Sequence, residues 1–334
     1  MLVRAPTRWV GLALLSVVAA VVAITSLAIG ALDIPVDVVL SSFLAFDGSR
    51  EEIIVQQLRV PRMLIGIAAG AAFALAGAMM QGLTQNPLAD PGLLGITSGA
   101  SLAVLIALDT MGVREFTSLL WFAMAGAALA GTTVYVLGSA GRGGASPMKL
   151  AIAGAALASL IGALLTILLS MQARSLDEIR FWLVGSLAGR PIEVFWAVIP
   201  FVAVGAVVGL AFGRSLNSLS MGEEIAVSLG VRVSLVRAIA GATVIVLAGA
   251  GVAMAGPIAF VGLAVPHIAR TLVGPDWRWI LPYTFVIGIA LLLAADVLGR
   301  VVIRPDELQV GVVVALLGAP FFVLLVRRRR LVAL

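Results

Sequence analysis

Cysteine is absent from this chain of 334 residues, and His267 is the only histidine. Disulfides, thiolate chemistry and multi-histidine metal sites are therefore excluded, and a metal that passes must come already chelated or use carboxylates. Lysine is almost absent as well, since only Lys149 occurs, preceded by Ser-Pro-Met and followed by leucine. A phosphate-binding loop of the GxxxxGK[ST] type cannot be built around it, so the chain does not bind ATP in that way. Charge of either sign is scarce, at 12% of residues against 61% hydrophobic, and the mean hydropathy is +1.15. A chain this apolar is an integral membrane protein.

Other chemistry is missing too. No nucleophile stands with a base beside it, as an intramembrane enzyme would need. Ion-coupled transporters carry carboxylates or histidines inside the membrane, but here acids such as Asp90, Asp109 and Asp296 sit at or between run ends, leaving no visible proton carrier. His267, in PHIAR, reads as a capping or packing residue rather than a ligand. The net charge of +5 does not point to nucleic acid, because the arginines lie beside apolar runs and not in a groove-sized patch.

What is present is a series of uncharged runs: Trp9 to Leu32, Met63 to Ala89, Pro91 to Leu108, Phe116 to Gly141, Leu150 to Ala173, Val194 to Gly213, Ala238 to Ala269, Trp279 to Ala295 and Leu308 to Val326. Each approaches or exceeds the roughly 18 residues that span a bilayer. The Ala238 run, with 32 residues, is too long for one crossing at about 1.5 Å per residue, and Gly256-Pro257 marks its break. The expectation is an all-α membrane protein of ten transmembrane helices forming one domain over residues 1–334. The even count puts both termini on one side. Arg4, Arg8 and Arg327 to Arg330 make that side the cytoplasm, with Arg142, Lys149, Arg214, Arg232, Arg237, Arg270 and Arg278 also inside. The first run is longer than a signal core and is expected to be retained. Phe181 to Gly189 is too brief to span, which predicts a short helix over residues 177–190 lying at the outer surface. LAGA recurs at Leu75 to Ala78 and Leu247 to Ala250, consistent with an inverted repeat of two five-helix halves.

Residues 215–234 contain the segment GEEIAVSLG, Gly222 to Gly230, on the cytoplasmic side of this topology. Glu223 and Glu224 suit the positive end of a helix dipole, and Gly230 is a left-handed stop. Ile225, Ala226 and Leu229 would form an apolar side over two turns, which reads as a docking helix for a partner outside the membrane. A solvated loop is the competing reading.

LRVPR at Leu58 to Arg62, LAGAMMQGLTQNPLADPGLLGITSGA at Leu75 to Ala100, FWLVGSLAG at Phe181 to Gly189 and GPIAFVGLAVPHIAR at Gly256 to Arg270 together resemble the FecCD family. These are the permeases of binding-protein-dependent ABC importers for iron-siderophores, haem and cobalamin. LLLAADVLGR and ELQVGVVVALLGAPFF extend the match to Phe322. The resemblance implies a permease dimer, with itself or a paralogue, an ABC ATPase dimer on the cytoplasmic side that hydrolyses ATP, and an extracytoplasmic substrate-binding protein. No cofactor is expected on this chain itself. It makes Gly222, Glu223, Glu224, Ile225, Ala226, Leu229 and Gly230 the coupling helix to the ATPase. It places Arg59, Arg62 and Arg300 at positions that dock acidic residues of the binding protein, and Asn86, Leu88, Ser146 and Pro147 at the inner constriction of the path. Two departures stand out, Gln309 where the family has proline in ELPVG and Gln85 where arginine is common before NPLA. Cobalamin or haem in place of a ferric siderophore, an ion-coupled transporter or channel, and a membrane-anchored scaffold or receptor component are the alternatives to an iron-chelate permease.

Overall fold

The computed structural model describes residues 5–140, 147–171 and 182–329, and every regular element among them is helical. In chain order these are α1 (Ala5–Ala28), α2 (Val36–Leu44), α3 (Arg50–Ile54), a π-helical turn Val55–Arg59 leading into α4 (Val60–Thr84), a 3-10 turn Pro91–Leu94, α5 (Ile96–Thr110), α6 (Phe116–Ser139) and α7 (Pro147–Met171). They continue with α8 (Ile192–Ala211), α9 (Gly213–Ser220), α10 (Glu223–Ser228), α11 (Val233–Ala255), α12 (Val261–Val273), α13 (Trp277–Val302) and α14 (Val310–Arg329). Seven of these helical rods are long and apolar enough to cross a membrane, while α5, α12 and the apolar part of α14 are shorter. With 13 residues, α12 is about 20 Å long against a hydrocarbon core of about 30 Å.

The core is built around α4, the most enclosed helix, with α7 at the periphery. Lipid tails are as apolar as leucine, so helices in a membrane are held by close packing rather than by exclusion of water. Glycine pairs make that packing possible: a Cβ at Gly70 would lie 2.6 Å from the Gly288 carbonyl oxygen, and one at Gly77 would run into the backbone of Gly262. These two contacts fasten α4 to α13 and α12. The long apolar run ends its first helix at Ala255 and restarts at Val261. Gly256, with φ +72°, makes the break, and a side chain there would strike the carbonyl of Trp182.

The segment over residues 177–190 differs from expectation in its described part, residues 182–190. Trp182, Ser186, Leu187 and Arg190 are buried, and the Ser186 amide donates to Ala255 O at 2.8 Å while Gly185 O accepts from the Gly311 amide at 3.1 Å. The segment is thus wedged against the ends of α11 and α14 instead of lying on the surface. Its apolar side chains find a slot because Gly185, Gly256 and Gly311 let three backbones meet. Gln309 does not disturb α14, since its carbonyl accepts from the Val312 and Val313 amides at the helix start.

Candidate functional site

The bundle has two polar ends. At one, the C-terminus of α1 meets the start of α4 and the end of α13. Arg59 donates to Leu27 O and Ala28 O at 2.7 Å each, and also to Leu32 O, satisfying carbonyls left over at the end of α1. Arg300 donates to Ser26 O at 2.9 Å, to Ile29 O at 3.1 Å and to Asp296 Oδ2 at 2.6 Å. Arg62 binds Asp296 at 2.8 Å and Glu307 at 2.7 Å. The structure therefore brings the three arginines together, but with Arg59 and Arg300 buried and their terminal guanidinium nitrogens bonded within the fold. Arg59 and Arg62, on either side of Pro61, face different neighbours: Arg59 turns to α1 and Arg62 to α13. All three still line one cavity of about 420 Å³ together with Glu307. Three guanidiniums share two carboxylates there, so the cavity keeps a net positive charge. Asp33, beside this cavity in the chain, is held below the usual carboxylate range by its hydrogen bonds from Arg304.

At the opposite end lie Arg8, Asp276 and α9 to α10. Asn217 on α9 donates to Asp276 Oδ1 at 2.7 Å and accepts from the Trp277 amide at 2.9 Å. Asp276 in turn caps α13 through the Arg278 amide, and Arg278 and Asn217 hold its carboxyl well below the ordinary range. These contacts pin α9, which leads into the island, to the bundle. Sequence reasoning missed Asn217 and Asp276, although an aspartate just before Trp-Arg and an apolar run is an N-cap signal.

The island itself is a short helix, Glu223–Ser228, following Gly222 at φ +102°. Its end is a Schellman turn: Gly230, at φ +80°, donates to Val227 O at 2.9 Å, and Val231 donates to Ala226 O at 3.0 Å. Glu223 pairs with Arg237 of α11 at 3.0 Å. Ile225 and Leu229 are exposed, as are Met221 and Val227. Ala226 is fully buried in the main core, so its assignment to the outward apolar side with Ile225 and Leu229 is corrected. The island has a core-facing methyl and a separate water-facing apolar side.

Between the two ends, the chain from 85 to 95 turns back into the bundle. Asn86 Oδ1 accepts from the Leu88 amide at 3.0 Å, and Asp90 Oδ1 accepts from the Gly92 amide at 2.8 Å, so two Asx turns stiffen it. Asn86 and Leu88 are exposed. Pro147 is the first residue of α7, a position that costs no hydrogen bond, and Ser146 lies outside the described residues. Gly95 sits against Leu157 and Ala158, well along α7 from Pro147. Asp90, Pro91 and Gly92 share a small cavity with Ile258 and Gly262, so the interruption before α5 meets the interruption before α12. Proline and glycine in two apolar runs were the signal for both interruptions, but not for their meeting.

The chain is 44% identical over 319 residues to the ferric enterobactin transport system permease protein FepD of Escherichia coli, covering 96% of this chain and 94% of that one. It is 39% identical over 305 residues to the Fe(3+)-citrate import system permease protein YfmD of Bacillus subtilis, covering 91% and 90%. A solved metal-chelate type ABC transporter in an inward-facing conformation superposes with a TM-score of 0.83 at 27% identity, covering 95% of this chain and 98% of that one. The model of the FecCD transport family matches residues 17–328, and the chain belongs to that family.

Proposed function

We propose that the chain is the permease subunit of an ABC importer that carries a ferric siderophore or a similar iron chelate into the cytoplasm. The observation that carries this reading is the capped island at Gly222 to Gly230, an apolar face held off a bundle that has no nucleotide loop of its own. Such a face suits a groove on a separate ATPase. Relatives that handle ferric enterobactin and ferric citrate support an iron chelate as cargo.

In this reading all ten long or shortened helices cross, and α5 and α12 are completed by the irregular stretches that precede them. Those interruptions fall at corresponding places in two five-helix halves, which supports the inverted repeat. The Asp276 end is cytoplasmic. Glu223, Glu224 and Asp276 are the acids described beyond helix ends on that side, whereas Arg8, Arg214, Arg232, Arg237, Arg270 and Arg278 gather there. ATP is hydrolysed by the partner subunits, Asn86, Leu88, Ser146 and Pro147 line the inner constriction between two permease subunits, and the binding protein docks on the positive cavity at Arg59, Arg62 and Arg300.

Orientation is open to direct test because the chain has no cysteine. Asp37→Cys and Asp306→Cys should react with an impermeant thiol reagent added to intact cells, and Ser220→Cys and Ser228→Cys only after the membrane is opened. All four positions are exposed. Labelling of Ser228→Cys in sealed cells would reverse the topology and remove the island from any cytoplasmic ATPase.

A further inference from the structure

A second cavity, of about 390 Å³, opens at the same end as the arginine cluster, and its wall includes Arg114, Phe116, Trp182, Ser186, Ala188 and Arg190. Arg190 is 8% exposed, and its Nε is buried without a hydrogen-bond partner. Among the described residues no carboxylate pairs with it, and its guanidinium lies over the Phe116 ring, 4.7 Å from the centroid. Burial lowers its pKa to about 10, so it remains a cation. The neighbouring acid Glu115 is occupied by the hydroxyls of Thr117 and Ser118. A buried arginine normally has a planar partner that accepts two parallel hydrogen bonds, and here the open side of the cavity is where that partner would stand. Ala188 also lines the cavity at Arg59, Arg62 and Arg300, so the two positive cavities are separated only by the segment around it.

We infer that the Arg190 cavity receives a carboxylate of an acidic side chain on the substrate-binding protein, as a second anchor beside the arginine cluster. This rests on the importer reading and deepens it. An acidic side chain fits the space, whereas 390 Å³ lies near the small end of pockets for drug-sized molecules, about 300 to 1,000 Å³, and a whole ferric chelate would overfill it. The apolar walls exclude water from the pair and strengthen it.

The test uses the complete transporter in lipid nanodiscs and its binding protein free of cargo. Arg190→Met removes the charge and keeps much of the volume. The variant should assemble and melt no lower than the parent, because an unpaired buried charge has gone. Association with the cargo-free binding protein should weaken at least tenfold and depend less on salt, with Arg190→Lys intermediate. Leu108→Trp, which narrows this cavity from a wall that the arginine-cluster cavity does not share, should weaken association similarly and decides the matter if Arg190→Met fails to assemble. Unchanged association in an assembled Arg190→Met variant overturns the inference, as does a defect confined to cargo-loaded binding protein, which would assign the oxyanion to the cargo. ATP-driven uptake by the parent complex is scored separately, so a failed pocket leaves the importer reading standing.

Discussion

Leu229→Asp should abolish ATP-driven uptake while leaving the isolated permease as stable as its parent. Leu229 is exposed by 61%, so nothing in the subunit's own core is lost. If it is an anchor in a groove on the ATPase, the change removes about 1.5 to 3 kcal/mol of burial and leaves a desolvated carboxylate at the contact. Together these exceed two orders of magnitude in affinity, so the ATPase should no longer co-purify, or should no longer be stimulated by loaded binding protein. Ala226→Arg should fail for a different reason. Its methyl lies in the permease core, so the substitution overpacks the island, at about 1 to 3 kcal/mol, and lowers the melting temperature of the permease alone. Glu223→Gln should be mild, because an exposed pair with Arg237 is worth about 0 to 1 kcal/mol. A stable Leu229→Asp variant with normal uptake would make the island a plain loop.

The largest stability effect is expected at Asp296. Its carboxylate is 1% exposed and receives Arg62 at 2.8 Å and Arg300 at 2.6 Å. Removing one member of a buried ion network costs about 3 to 5 kcal/mol, because charge is left uncompensated. Arg62 retains Glu307, so Arg300 is the group left with carbonyls alone. Asp296→Asn should therefore lower detergent-solubilised melting sharply, and adding Arg300→Met should recover part of the loss. A double-mutant cycle reads the coupling directly. Additive effects in that cycle would mean that the two residues do not share a network. For the same reason charge reversal at Arg62 or Arg300 would destabilise this end before it reported on docking, and at Arg59 it would set a carboxylate against the carbonyls that end α1.

Much of the architecture was legible because a bilayer permits few solutions. Uncharged runs located the helices, Gly256-Pro257 located the break, and the acids and glycine of GEEIAVSLG located a capped helix. What was not legible depends on partners distant in the chain. Arg62 finds Asp296 across 234 positions, and local spacing cannot tell such a pair from an exposed docking surface. Ala226 looked like a neighbour of Leu229 until the packing of α9 and α10 turned its methyl inward. Residues 182–190 read as a surface helix because the glycines that admit them to the bundle, Gly256 and Gly311, belong to other segments. Arg190 drew no notice in FWLVGSLAGR, since its burial is a property of the fold alone.

The most direct test of the whole account is reconstitution of this permease with its ATPase in sealed proteoliposomes, with binding protein and labelled ferric siderophore on the side of Asp306 and Glu307. Accumulation should require ATP at the side of Gly222 to Gly230 and should persist when the proton and sodium gradients are collapsed. Accumulation that follows either gradient and continues without ATP or ATPase would contradict it.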